Sequence, residues 1–155
     1  MKLPVVASLL VAALACPLLQ AADTSSAYTP PSAGERMDVA RQAIQSKDWR
    51  KALAELNRAV RDEPRNADVH NLLGYSYRKQ ATPNLAKAFE HYKKAIDLDP
   101  RHKGAHEYIG EAYLMDKKPQ EAEKHLASLQ QICGNTSCEE YVDLAQAIAE
   151  YKAKN

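Results

Sequence analysis

Two stretches of the chain, KDWRKALAELNRAVRDEP (Lys47 to Pro64) and NLAKAFEHYKKAIDLDP (Asn84 to Pro100), carry apolar residues three and four places apart with charge between them. That period is one face of an α-helix. Aligned backwards from their prolines, the two match: Trp49 with Leu85, Ala52 with Ala88, Leu56 with Tyr92 and Ala59 with Ala95. A second pair, LLGYSYRKQ (Leu72 to Gln80) and YIGEAYLMD (Tyr108 to Asp116), shares apolar-Gly-x-x-Tyr, as Leu73-Gly74-Tyr77 and Ile109-Gly110-Tyr113. An earlier copy holds Val39, Ala40 and Ala43 at those places. Glycine inside a helix costs about 1 kcal/mol relative to alanine. Its recurrence at one position predicts a backbone contact where no side chain fits.

The periodicity predicts seven helices, near 34–46, 49–62, 67–80, 83–98, 103–116, 119–132 and 137–152. Five glycines and few β-branched runs argue against a sheet. The last helix has an apolar stripe of Tyr141, Leu144, Ala145, Ile148 and Tyr151 opposite Glu139, Asp143, Gln146, Glu150 and Lys152. Ser137 followed three places on by Glu140 predicts a capping box at its start.

A first helix with apolar-Gly-x-x-Tyr, a second with matched alanines and an aromatic, and an acid-proline close resemble the tetratricopeptide repeat. The resemblance runs from Gly34 to about Gly134. It implies an all-α solenoid of three helix-turn-helix repeats, 34–66, 67–102 and 103–134, with a capping helix in 135–155 to cover the last apolar face. The second repeat is longer because Ala81 to Asn84 adds two residues between its helices, and Pro83 is expected in the first turn of the helix that follows. The third departs from the pattern. It has Cys133-Gly134 for acid-proline, Leu129 for a small residue and Pro119 for an aromatic.

Residues 1–22, MKLPVVASLLVAALACPLLQAA, lie outside the repeats. One base at Lys2, an apolar run from Leu3 to Ala15, then Ala21 and Ala22 before Asp23 have the layout of a secretory signal peptide cleaved near Ala21 or Ala22. The run falls short of the ~20 residues that span a bilayer. Lipid attachment at Cys16 fits poorly, because Ala13-Leu14-Ala15 only loosely resembles a lipoprotein signal and Pro17-Leu18-Leu19 stays apolar. Residues 23–33, DTSSAYTPPSA, read as a flexible leader. The expectation is a small exported bacterial protein, periplasmic or secreted, with no membrane span once cleaved. Losing Lys2 from 21 bases leaves 20 against 20 acids. That neutrality argues against a nucleic-acid partner.

Export permits a disulfide between Cys133 and Cys138, which would staple the cap onto the third repeat. Alternatives for the two cysteines are a redox pair or a metal site, but no thioredoxin-like C-x-x-C is present. His102 and His106, four apart, could clip a metal; His106 instead reads as a packing residue with His70 as its counterpart. His91 and His125 read as helix-surface residues. No phosphate loop, nucleophile elbow or H-E-x-x-H motif points to an enzyme, and no cofactor is implied.

Stacked helix pairs expose a concave face lined by their first helices. The pattern places Met37, Arg41, Ile44 and Gln45 there from repeat one, Asn71, Tyr75, Arg78 and Lys79 from repeat two, and Glu107, Glu111, Leu114 and Met115 from repeat three. Such a face, basic at one end and acidic at the other, suits an extended peptide or a partner helix. The clamp by which chaperone-tail-binding repeats hold a C-terminal carboxylate is not expected: Met37, Arg41, Leu72, Gly104 and Tyr108 stand at its places, and only Arg41 is basic. The reading is a non-enzymatic binding module for a protein or peptide. The alternatives are an accessory subunit using its convex face or cap, and a metal or redox carrier.

Overall fold

The computed structural model describes residues 29–155, so the signal-like segment 1–22 and most of the leader lie outside the described residues. Those residues form seven helices and no strand: α1 (Ala33–Gln45), α2 (Trp49–Asp62), α3 (Ala67–Lys79), α4 (Leu85–Leu98), α5 (Lys103–Met115), α6 (Pro119–Cys133) and α7 (Glu139–Lys154). The fold is the all-α helix-pair solenoid expected. α1 packs on α2, α3 on α4 and α5 on α6; α2 meets α3, α4 meets α5, and α7 lies against both α5 and α6.

The starts of the helices repeat as the sequence does. Asp48 and Asn84, 36 residues apart, each accept a backbone N–H of the second helix of a pair, from Lys51 and Lys87. Asn66 and His102, also 36 apart, do so for α3 and α5. These side chains satisfy amide groups that a helix start leaves unpaired. Turns between paired helices close alike, with the Asp48 amide on the Ala43 carbonyl at 2.8 Å and the Lys118 amide on that of Tyr113 at 2.8 Å. In repeat two the closing bond runs from Asn84 to Tyr77 at 2.9 Å, across the two added residues.

Three local signals resolve differently from expectation. Pro83 precedes the cap Asn84 and lies outside α4. The Asn84 side chain starts that helix, so proline is left to shape the longer turn. Ser137 does not cap α7: its hydroxyl bonds Asn135 Oδ1 at 3.0 Å and Cys138 takes the cap position without a side-chain bond. The Asn135 turn captures the hydroxyl first. A capping box does form at α1, where Ser32 and Glu35 bond reciprocally. Ordered structure therefore reaches into the expected leader, and Ala33 is buried.

The core divides into three clusters along the stack. Met37, Ala40, Leu56, Ala59, Val69 and Leu73 form the first. Ala88, Tyr92, Ile109 and Ala112 form the middle one, and Ala122, Leu129, Leu144 and Ile148 belong to the last. A Cβ at Gly74 would stand 2.6 Å from the Tyr92 ring, and one at Gly110 2.6 Å from Leu144. Both glycines are thus required by close approach, the first to its own repeat's second helix and the other to α7.

Candidate binding groove

Met37, Asn71 and Glu107 occupy equivalent places on α1, α3 and α5, spaced 34 and 36 residues apart, and all three are more than nine-tenths buried. Met37 belongs to the first core cluster, with its sulfur 3.9 Å from Asn66 Nδ2. Leu114 likewise enters the last cluster. Against the pattern, helix pairing turns both mainly toward the apolar interior, and Leu114 keeps only an edge on the open depression beside Met115 and Ala147. Asn71 and Glu107 sit at that depth as polar groups.

Around them the structure gathers Tyr75, Arg78, Tyr108 and Glu111. Tyr75 and Tyr108 rings stand 4.9 Å apart, and Trp49, at the start of α2, extends the row at 6.4 Å from Tyr75. The Arg78 guanidinium lies 5.5 and 5.6 Å from the two tyrosine ring centres, within cation–π range. Its Nε donates to the Tyr92 hydroxyl at 3.2 Å and its Nη2 pairs with Glu111. Lys79 adds a second cation 5.8 Å from Tyr75.

Burial works against the Arg78 charge, but the Tyr92 hydroxyl and the Glu111 carboxylate outweigh it, and its pKa stands above the ordinary value. Arg78 is thereby locked as a permanent cation that ties α3 to α4 and α5. Burial raises the Glu107 carboxyl to about 8, helped by Glu111, Asp143 and Glu140 and opposed by Arg78. At neutral pH Glu107 is mostly protonated. One buried atom on this face, Asn71 Oδ1, lacks any partner among the described residues, as does Ser76 Oγ elsewhere on α3. Buried polar atoms without partners are costly and uncommon.

The other expected lining residues stand apart from this cluster. Arg41 is exposed and pairs with Asp38 on its own helix at 3.1 Å. Gln45 is exposed at the end of α1. Met115 is 45% exposed at the end of α5, beside α7. Residues the pattern reading left out of the face are Tyr108, Trp49, Tyr92 and the α7 acids. Beyond Glu111 an open depression of about 280 Å3 is walled by Glu111, Asp143, Gln146, Ala147 and Glu150. The signal for it was present: α7 packs on α5 as a further first helix, so its polar side continues the lined face.

Cys133 and Cys138 are joined in a disulfide with Cα atoms 6.3 Å apart. Glu140 lies close enough to complete a three-ligand cluster with them, but the bridge consumes both thiolates a metal would require. His102 and His106 do not form a clip. His102 caps α5 and reaches Asp68 at 3.1 Å, whereas His106 Nδ1 meets His125 Nδ1 at 3.0 Å and its Nε2 meets the Pro100 carbonyl at 3.2 Å. His70 repeats this with His91 at 3.1 Å and the Pro64 carbonyl at 3.1 Å. His91 and His125 are therefore half-buried partners in a seam between paired helices, and not simple surface residues. Repeat one fills the same seam with Arg36 and Glu55, 3.3 Å apart.

A family model described as tetratricopeptide repeat matches residues 38–102 and 84–135. No curated protein matches the chain. Among solved structures, the TPR2B-domain:pHsp70 complex of yeast Sti1 superposes with a TM-score of 0.71 at 16% identity, covering 79% of this chain and 98% of that one. The first TPR of Spaghetti (RPAP3), bound to the HSP90 peptide SRMEEVD, gives 0.68 at 16% identity, over 79% and 94%. The Arabidopsis OM64 TPR domain gives 0.68 at 14% identity, over 77% and 96%. At these identities the likeness is one of fold.

Proposed function

Because this chain belongs to the tetratricopeptide repeat family, we propose that it is a non-enzymatic interaction module that holds an extended segment or helix of a partner protein across α1, α3, α5 and α7. The observation that carries this reading is the Tyr75–Arg78–Tyr108 cluster. Its two aromatic rings are partly buried beside an arginine held rigidly by Tyr92 and Glu111, and the Asn71 oxygen on the same helix as Tyr75 lacks a donor. Aromatic and arginine side chains anchored in this way are what binding hot spots are made of. The Spaghetti (RPAP3) domain of the same fold, bound to an HSP90 peptide, supports the class of ligand.

Export is part of the proposal. The signal-like segment 1–22 motivates it, and the Cys133–Cys138 bridge suits an oxidising compartment. The reading is therefore an adaptor of the bacterial envelope or exterior.

Site-specific photo-crosslinking in intact cells tests the groove. A crosslinking residue at Tyr75 or Lys79 is expected to capture a partner, and one at Lys94 on α4 is not. The reverse pattern would transfer the function to the convex face. Exposed Met115 and Val142, at 45% and 46%, favour the cap as the second candidate surface for an accessory subunit, so a probe at Val142 belongs in the same experiment. Two free thiols with stoichiometric metal, in protein taken from its native compartment, would instead favour a metal or redox carrier.

A further inference from the structure

We propose that the α5–α7 end of the groove takes a lysine or arginine side chain of the bound segment, donated to Glu107, Glu111 and Asp143, while Asn71 Oδ1 accepts an N–H from the same segment one repeat earlier. The inference rests on the groove reading above and specifies its ligand.

Both buried polar groups at the equivalent α3 and α5 positions are short of donors. Asn71 lies in the seam between α3 and α5, with its Nδ2 3.2 Å from where a Cβ on Gly104 would stand, and its Oδ1 has no partner among the described residues. Glu107, 7% exposed, has no hydrogen bond or ion pair among those residues. Acceptors lacking donors call for a ligand that donates.

Charge around Glu107 points the same way. The charged groups facing it are Glu111 on its own helix, Asp143 and Glu140 from α7, and Arg78 from α3. Arg78 is already committed to Tyr92 and Glu111, and Glu140 has Lys103 at 3.3 Å. Asp143 has no ion pair among the described residues, yet it walls the 280 Å3 depression together with Glu111 and Glu150. The depression is polar, and the cations at its walls are Arg78, paired with Glu111, and Lys154, 3.9 Å from Glu150, which leaves Asp143 without a countercharge among the described residues. An ammonium or guanidinium entering there would supply the missing countercharge. The bound segment runs with its cationic residue toward the cap, opposite in sign to the two glutamates and terminal aspartate of the SRMEEVD peptide in the related-fold complex.

A proton is linked to this event. Free Glu107 is mostly protonated at pH 7 because its pKa is about 8. A cation beside it favours the carboxylate, so binding releases a proton and tightens as pH rises from about 6 to 8.

The test is a displayed library of random dodecapeptides selected on the purified full chain. Wild type is expected to enrich Lys or Arg at one fixed position, and Asp143→Lys to replace that preference with Asp or Glu. For a selected peptide, Lys→Ala is expected to weaken binding on the order of tenfold. Titration calorimetry in buffers of different ionisation enthalpy is expected to register proton release near pH 7, abolished in Glu107→Gln. Enrichment of acidic or purely apolar residues at that position, or a preference unmoved by Asp143→Lys, overturns the inference and leaves the groove standing. Peptides that bind Tyr75→Ala as well as wild type sink the groove itself, and a library yielding no binder sinks both.

Discussion

Gly74 has no room for a methyl group, because the Tyr92 ring lies across it and the hydroxyl of that ring accepts from Arg78. Gly74→Ala gains helix propensity of about 1 kcal/mol but must displace a rigid ring in a packed core, at about 1–3 kcal/mol. Net destabilisation is expected in urea unfolding, together with weaker binding through the moved Arg78. Gly110→Ala should cost less, since the branched end of Leu144 yields more easily than a phenol. Both glycines were legible as contact points from their recurrence, although their partners were not: Gly74 faces its own repeat and Gly110 faces the cap. Pro83 and Ser137 fit helix-start rules equally well and failed them. In each case a nearby asparagine supplies the competing interaction, Asn84 as the cap and Asn135 as the hydroxyl's acceptor.

Helices α3–α4 and α5–α6 are each seamed by two histidines. The Pro64 and Pro100 carbonyls can only accept, so His70 and His106 carry their protons on Nε2 and present Nδ1 as an acceptor to His91 and His125. Tyr77 and Tyr113 stack on His91 and His125 at 4° and 17°. Burial lowers the pKa of His125 to about 4, aided by His106, and burial also lowers those of His91 and His106. The unfolded chain therefore takes up protons first. This stabilisation is complete above about 6.5 and is lost as pH falls from there toward 4. Thermal melts are expected to fall across that window, and His125→Gln to flatten part of the decline. The helices themselves were legible from periodicity to within two residues at every end. The seam was not, because it joins residues offset by 36 in one helix and 34 in the other and is filled by Arg36 and Glu55 in repeat one.

At the scale of the whole molecule, stability passes from cluster to cluster through single side chains. Tyr77 packs against both the first and middle clusters, and Tyr113 against both the middle and last. A stack of this kind holds together by nearest-neighbour contacts, so its ends are its weak points. The disulfide between α6 and α7 braces one of them by about 2 kcal/mol on a loop-entropy estimate. Leu144, fully buried between α7 and Gly110, is the central contact of the cap. Leu144→Ala is expected to cost about 2–5 kcal/mol. Because neighbouring clusters share few side chains, Tyr77 and Tyr113 among them, that loss should be unevenly felt. Amide exchange should accelerate most in α5, α6 and α7, less in α3 and α4, and least in α1 and α2. Adding Tyr113→Ala should steepen this gradient by cutting the link between the last two clusters, to the point where two unfolding transitions separate. Uniform acceleration in all seven helices would mean instead that the stack unfolds as one block. The groove would then be held by the whole molecule, and not by the α3–α5–α7 neighbours that line it.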